Sequence, residues 1–219
     1  MRFLRSLPRD AIEVFVWTRA AIWLAAIFVV TLLDPVSGAF RVPLDPRWDI
    51  DIGWGIGIWS RWDSGWFLTI AQDGYVDPER TTAFFPLYPL LVKVVGTVLS
   101  GHYIFAGITV SLAACAGAFV LLYRLSEPLL GDRGAFRSVV YLALYPMALF
   151  LGAVYSESLY LLLSIGAFYA ATRGKFLVSG ALIGLAILTH SAGLALLPAV
   201  GLIAWRSEDR NGALLRLGV

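Results

Sequence analysis

The chain has 219 residues, of which 59% are hydrophobic and only 15% charged, and its formal net charge is +2. Ordinary soluble domains carry about 25% charged residues, so this composition excludes that class and reads as an integral membrane protein. A single cysteine, Cys115, in an apolar run excludes a disulfide framework, and His102 and His190 are too few and too far apart to form a recognisable metal motif.

The small net charge hides an asymmetry. The polar segment from Asp34 to Arg80 holds eight of the fifteen acids against four arginines, while the rest of the chain, Lys93 aside, carries twelve basic and seven acidic residues. In chain order, Arg2, Arg5 and Arg9 precede an apolar stretch from Val14 to Leu33. A signal peptide is one reading, with Val36-Ser37-Gly38 as a weak cleavage site. However, a stretch of about twenty residues has spanning length and exceeds a 7–15-residue signal core, so a retained first span is expected. Arg19 near its start reads as a snorkelling anchor.

At the centre of the polar segment lies Trp59-Ser60-Arg61-Trp62-Asp63-Ser64-Gly65-Trp66-Phe67-Leu68-Thr69-Ile70. Read as one helix at about 100° per residue, it places Trp59, Trp62, Trp66, Phe67 and Ile70 on one face with Asp63 among them, and Arg61 opposite. Such an aromatic helix suits a membrane–water interface. Asp63 has two readings. It either caps a short helix or pairs with an arginine, or it is a general base whose pKa is raised by desolvation on the apolar face.

Ala83 to Leu99 looks like a second span, but Pro86 and Pro89 break its first turns and Lys93 is charged in mid-stretch. Tyr103 to Tyr123 is a clean span rich in small residues, followed by Arg124, Arg133 and Arg137. The positive-inside rule then chooses the topology. If Ala83 to Leu99 only dips into the outer face, the arginine loop, Arg173 with Lys175, and Arg206 with Arg210 all fall inside. Ser138 to Tyr155 is expected to cross outward, Leu159 to Thr172 to return, and Phe176 to Leu188 and Leu194 to Trp205 to form two short spans meeting at Thr189-His190-Ser191.

This threading gathers Asp63, Lys93, Glu157 and His190 on the outer side. Each has a plain structural reading: Lys93 could snorkel, Glu157 could favour its helix dipole and His190 could be a satisfied core histidine. Their convergence at one outer cavity is what favours a functional reading.

Four stretches carry a family resemblance: Arg61-Trp62-Asp63-Ser64 running on to Ile70-Ala71-Gln72-Asp73-Gly74-Tyr75; Ala83-Phe84-Phe85-Pro86-Leu87-Tyr88-Pro89; Tyr155-Ser156-Glu157-Ser158; and Thr189-His190-Ser191-Ala192-Gly193. In these the chain resembles the PIG-V-like mannosyltransferases of the GT-C class. The resemblance implies an all-α, polytopic GT-C-like bundle with about six membrane-embedded spans. As one transmembrane domain, 1–219, it has a first span at 14–33, an outer loop at 34–101 with interfacial or re-entrant helices, and the remaining spans at 103–205.

It also implies inverting transfer of a mannose-like sugar from a polyprenyl-phosphate donor to a glycan or glycolipid acceptor on the extracytoplasmic face. Asp63 would be the catalytic base, and Arg61, Trp62, Tyr75, Tyr88, Lys93, Tyr155, Glu157 and His190 would be substrate-binding. Arg61, Lys93 and His190 are the candidates for positive charge near the phosphate. Histidine stands at 190 where the family often places arginine, which argues against a phosphate contact there at neutral pH.

Neither cofactor nor metal is expected, and no nucleic acid. The expected partners are the bilayer, the lipid-linked sugar, the acceptor and further membrane helices, since family members are considerably longer and this chain would be their N-terminal part. The membrane would be the plasma membrane in a prokaryote and the endoplasmic reticulum in a eukaryote. Two other functions stay open: a non-catalytic subunit that binds lipid-linked sugars, and a small transporter.

Overall fold

The computed structural model describes residues 8–32, 56–76, 78–207 and 210–218, and no strand occurs among them. The proposed cleavage site at Val36-Ser37-Gly38 and the acids Asp34, Asp45, Asp49, Asp51 and Asp77 lie outside the described residues.

Helix α1 (Arg9–Leu32) starts five residues before the expected span. The Pro8 carbonyl accepts from the Ala11 and Ile12 amides, and Asp10 favours the positive end of the helix dipole. At 1.5 Å per residue, its 24 residues extend about 36 Å, more than a hydrocarbon core of about 30 Å. It lies against the bundle through Phe15 on Phe119, Arg19 and Trp23 stacked on Trp59.

The snorkelling expectation for Arg19 is overturned. Its side chain is 5% exposed, donating from Nη1 to the Ala148 carbonyl at 2.5 Å and from Nη2 to the Ala143 carbonyl at 3.2 Å. One carbonyl is at the end of a helix and the other within the 3₁₀ turn that follows, and a forked guanidinium reaches both.

Helix α2 (Ser64–Asp73) and the single turn α3 (Pro78–Thr81) precede α4 (Leu87–Val98). Twelve residues make α4 about 18 Å long, too short to cross a bilayer core. Its buried face is Tyr88, Val92 and Gly96, one turn apart. The Tyr88 hydroxyl meets the Gly107 carbonyl at 3.1 Å and Ser111 Oγ at 2.8 Å, and a Cβ on Gly96 would lie 2.5 Å from the Tyr103 ring. Glycine is therefore required for α4 to pack antiparallel on α5 (Tyr103–Ala143).

The expected span Tyr103 to Tyr123 and the arginine-rich loop after it form one continuous helix up to Gly131. There the backbone turns left-handed (φ 68°, ψ 175°), three residues after Pro128. Residues 132–143 fold back along the first arm: the Tyr123 hydroxyl donates to the Asp132 carboxylate, and Ala135, Val139 and Ala143 pack into one core with Cys115 and Phe119. The crossing expected over Ser138 to Tyr155 is helical only to Ala143. Pro146 has no amide to donate, and the chain continues as a 3₁₀ helix, Pro146–Leu151, and then irregularly to Ser156.

Helices α6 (Glu157–Ala171), α7 (Phe176–Ile187) and α8 (Leu196–Trp205) match the sequence reading within about two residues, apart from the 3₁₀ turn Ser191–Ala195 ahead of α8. α6 runs parallel to the first arm of α5, with Leu162 at Gly117 and Gly166 at Leu121. α7 returns, with Ser179 Oγ donating to the Ala167 carbonyl at 2.8 Å and His190 over Tyr160. α9 (Arg210–Leu217) packs across α7 and α8.

This pairing collects the start of α1 with Arg9, the Gly131 reversal with Arg124, Arg133 and Arg137, the α6–α7 turn with Arg173 and Lys175, and Arg206 after α8 at one end of the bundle. Among the described helices, α1 and α5 are long and apolar enough to cross a membrane.

If the Arg19 fork anchors α1, Arg19→Met removes two buried hydrogen bonds from a charged donor, at about 1.5–3 kcal/mol each, and lowers the thermal midpoint of the detergent-solubilised protein. Arg19→Lys recovers only part of this, because one ammonium does not reproduce a planar fork. A melting curve for Arg19→Met that overlays the native one contradicts the anchor.

Candidate active site

The segment predicted as one helix from Trp59 to Ile70 is two pieces. A 3₁₀ helix, Ile56–Ser60, stops before Arg61, and α2 begins at Ser64. Main-chain competition explains the break. The Trp59 carbonyl, which a continuous helix would pair with the Asp63 amide, instead accepts from the Val154 amide at 2.9 Å, and the Asp63 amide donates to the Tyr155 hydroxyl at 3.1 Å. Between them Trp62 takes a left-handed conformation, φ 54°, which non-glycine residues rarely adopt.

The helical face is thus only half realised. Trp59, Phe67 and Ile70 are buried, whereas Trp62 is 45% exposed and leans on Phe150. Asp63 is corrected most: it does not lie on the buried aromatic face but is exposed at the α2 N-terminus. The burial on which the general-base reading rested is therefore missing. The capping alternative is not realised either, because the carboxylate makes no capping hydrogen bond.

Asp63 nonetheless borders a cavity of about 200 Å³ assembled from four distant segments. Asp63 and Phe67 form one wall, and Ala83 to Phe85, before α4, form the next. Tyr155 to Glu157 and Thr189 to Ser191 complete it. The hydrogen bond from the Asp63 amide to Tyr155 joins two of these segments, the Leu87 amide ties the segment before α4 to the Leu188 carbonyl at 2.9 Å, and Ser111 Oγ of α5 holds the Tyr155 carbonyl at 3.2 Å.

Glu157 sits in the first turn of α6, half-buried, and its Oε2 is buried without a hydrogen-bond partner among the described residues. A carboxylate oxygen in that state is an acceptor waiting for a donor. His190 is exposed, so it is not a core histidine. Its Nδ1 accepts from the Ala192 amide at 3.1 Å, capping the 3₁₀ turn, which in the neutral ring leaves the proton on Nε2.

The cavity therefore unites Asp63, Tyr155, Glu157 and His190 but not the other candidates. Lys93 is exposed on α4, off the face formed by Tyr88, Val92 and Gly96, and does not line the cavity. Arg61 does not line the cavity. Tyr88 is wholly buried and engaged with Gly107 and Ser111, so it supports the fold rather than facing a substrate.

Tyr75 borders a neighbouring, more open groove of about 380 Å³ that shares Phe84 and Phe85 with the cavity. Its hydroxyl donates to the Phe84 carbonyl at 2.8 Å, and burial raises its pKa. Phe84 and Phe85 were missed as site residues because an aromatic pair before two prolines reads as the apolar start of a span. The signal available was only their position inside a resembling stretch.

With two carboxylates and neither lysine nor arginine on its described wall, the cavity suits neutral hydroxyl-bearing groups better than a phosphate. No group of three or more His, Cys, Asp and Glu side chains is placed to hold a metal ion among the described residues.

Comparison with known proteins agrees with the resembling stretches. The family model for mannosyltransferase (PIG-V) matches residues 12–205. GPI alpha-1,6-mannosyltransferase 2 of Rattus norvegicus is 33% identical over 187 residues, covering 78% of this chain and 37% of the relative. The Homo sapiens protein of that name is 33% identical over 188 residues with the same coverage. GPI mannosyltransferase 2 of Drosophila melanogaster is 29% identical over 154 residues, 64% of this chain and 34% of the relative. The chain thus spans little more than a third of the length of these relatives, and no solved structure matches it. On the extent of that family match, the chain belongs to the PIG-V mannosyltransferase family.

Proposed function

We propose that this chain forms part of a multi-pass membrane mannosyltransferase whose donor is a polyprenyl-phosphate sugar and whose acceptor is a glycan or glycolipid. The observation that carries this reading is the convergence of Asp63, Glu157 and His190 on one cavity in a member of this family. Arg9, Arg124, Arg133, Arg137, Arg173, Lys175 and Arg206 collect at the end of the bundle away from that cavity. By the positive-inside rule that end is cytoplasmic and the cavity faces the extracytoplasmic side.

In the reaction the acceptor hydroxyl attacks the anomeric carbon from the face opposite the lipid phosphate. The new glycosidic bond forms as the sugar–phosphate bond breaks, inverting the centre, and the polyprenyl phosphate leaves with the bond electrons. Asp63 takes the hydroxyl proton. Its exposure means that basicity comes from position, with water displaced only when the sugars fill the cavity. Glu157 Oε2 accepts from a sugar hydroxyl. The exposure of Asp63 also favours a second reading, in which the chain binds lipid-linked sugars without transferring them.

Sugar transfer by the complete membrane-embedded protein separates the two. Asp63→Asn keeps size and polarity but removes the proton acceptor, so transfer falls by about 100- to 10,000-fold with donor affinity unchanged. Near-native transfer by that variant removes Asp63 from the chemistry. Glu157→Gln weakens binding of the sugar it contacts by about tenfold, in line with the loss of a charge-assisted hydrogen bond, and unchanged affinity for both sugars refutes its role.

The orientation has its own test. Cysteines placed at Glu79 and Arg133, both exposed, in a Cys115→Ala background label from opposite sides of sealed vesicles with an impermeant thiol reagent. Labelling from one side alone means that α4 and its neighbours cross the membrane after all.

A further inference from the structure

Tyr155 lines the cavity, but its hydroxyl is engaged by the main chain of the Trp62 turn. That oxygen accepts from the Asp63 amide at 3.1 Å and donates to the Arg61 carbonyl at 3.3 Å. These two groups belong to the peptides on either side of Trp62, the residue held at φ 54°. A phenol can donate and accept at once, and here it bridges the turn that a non-glycine residue resists.

Tyr155 is itself fixed from behind. Its carbonyl accepts from Ser111 Oγ, which meets the buried Tyr88 hydroxyl at 2.8 Å, and its ring packs edge-on against Phe150 at 4.8 Å. Phe150 in turn contacts the Trp62 ring at 5.9 Å. The antiparallel pair α4 and α5 therefore locates Tyr155, and Tyr155 locates the Trp62 turn.

We infer that Tyr155 is the positioning residue of Asp63: its phenol holds the left-handed Trp62 turn that presents the Asp63 carboxylate to the cavity. The inference rests on the reading of Asp63 as the base, but its structural half stands apart from it. The resemblance implied substrate binding for Tyr155, whereas both of its hydroxyl bonds are to main chain. Strain at a functional turn persists where surrounding contacts over-determine it, and three contacts do so here: the phenol bridge, the Val154 to Trp59 bond and the Phe150 contact.

The test uses Tyr155→Phe, which keeps the ring and deletes both bonds, in the complete membrane-embedded protein. Two quantities are read: amide hydrogen exchange across residues 60–68, and sugar transfer. Exchange over that segment is expected to quicken about tenfold or more while α5 and α6 keep their protection, which shows the variant is folded. Transfer falls about 10- to 100-fold, mainly in kcat, as a misplaced reactive group requires.

A second arm repeats Tyr155→Phe in a Trp62→Asn background. Asparagine accepts the left-handed conformation more readily than tryptophan, so the turn depends less on the phenol and Tyr155→Phe loses a smaller factor there. Unchanged exchange over residues 60–68, or an equal loss of transfer in both backgrounds, overturns the inference and returns Tyr155 to direct substrate contact. Quickened exchange with unaltered transfer upholds the tether and instead removes Asp63 as the base.

Discussion

A chain that leaves the helical path inside an apolar bundle must still pair its backbone N–H and C=O groups, because no water is there to take them. Three of the helix breaks around the cavity are at Arg61 to Asp63, from Leu144 to Ser156, and at Leu188 to His190. Each break is closed by a partner from elsewhere in the chain. Val154 and Tyr155 serve the first, the Arg19 guanidinium and Ser158 Oγ the second, and the Leu87 amide the third. The cavity lies where these broken segments meet, so the bonds that satisfy the backbone are also the bonds that shape the site.

Much of the helical layout was legible in the sequence. The apolar runs placed α1, α6, α7 and α8, whereas of the two prolines expected to break the run before Leu99 only Pro86 lies at the helix start and Pro89 sits inside α4. Composition can do this because a bilayer-facing helix needs little more than uninterrupted apolar length. Polar residues among apolar ones flagged Asp63, Glu157 and His190, and the resembling stretches added Tyr155. These four do line one cavity.

The errors share a physical origin in long-range bonds that periodicity does not encode. A helical wheel drawn from Trp59 to Ile70 assumes that the Trp59 carbonyl bonds within its own helix. A residue 95 positions away claims it, the helix breaks, and Asp63 moves from a buried face to an exposed turn. Arg19 was read as snorkelling because nothing local shows that two carbonyl groups more than 120 residues away come within reach of its guanidinium. Lys93 was drawn toward the cavity because the register of α4 follows from where Pro86 lets the helix begin, and that register turns Lys93 outward.

The account stands or falls on where the transferred sugar sits. A cryo-electron-microscopy map of the complete protein with a non-transferable polyprenyl-phosphate sugar analogue reads this directly. The account predicts the sugar ring in the cavity between Asp63 and Glu157, within hydrogen-bond reach of Glu157 Oε2, with the Trp62 turn and its Tyr155 bridge intact. A sugar bound elsewhere, with this cavity empty, contradicts it.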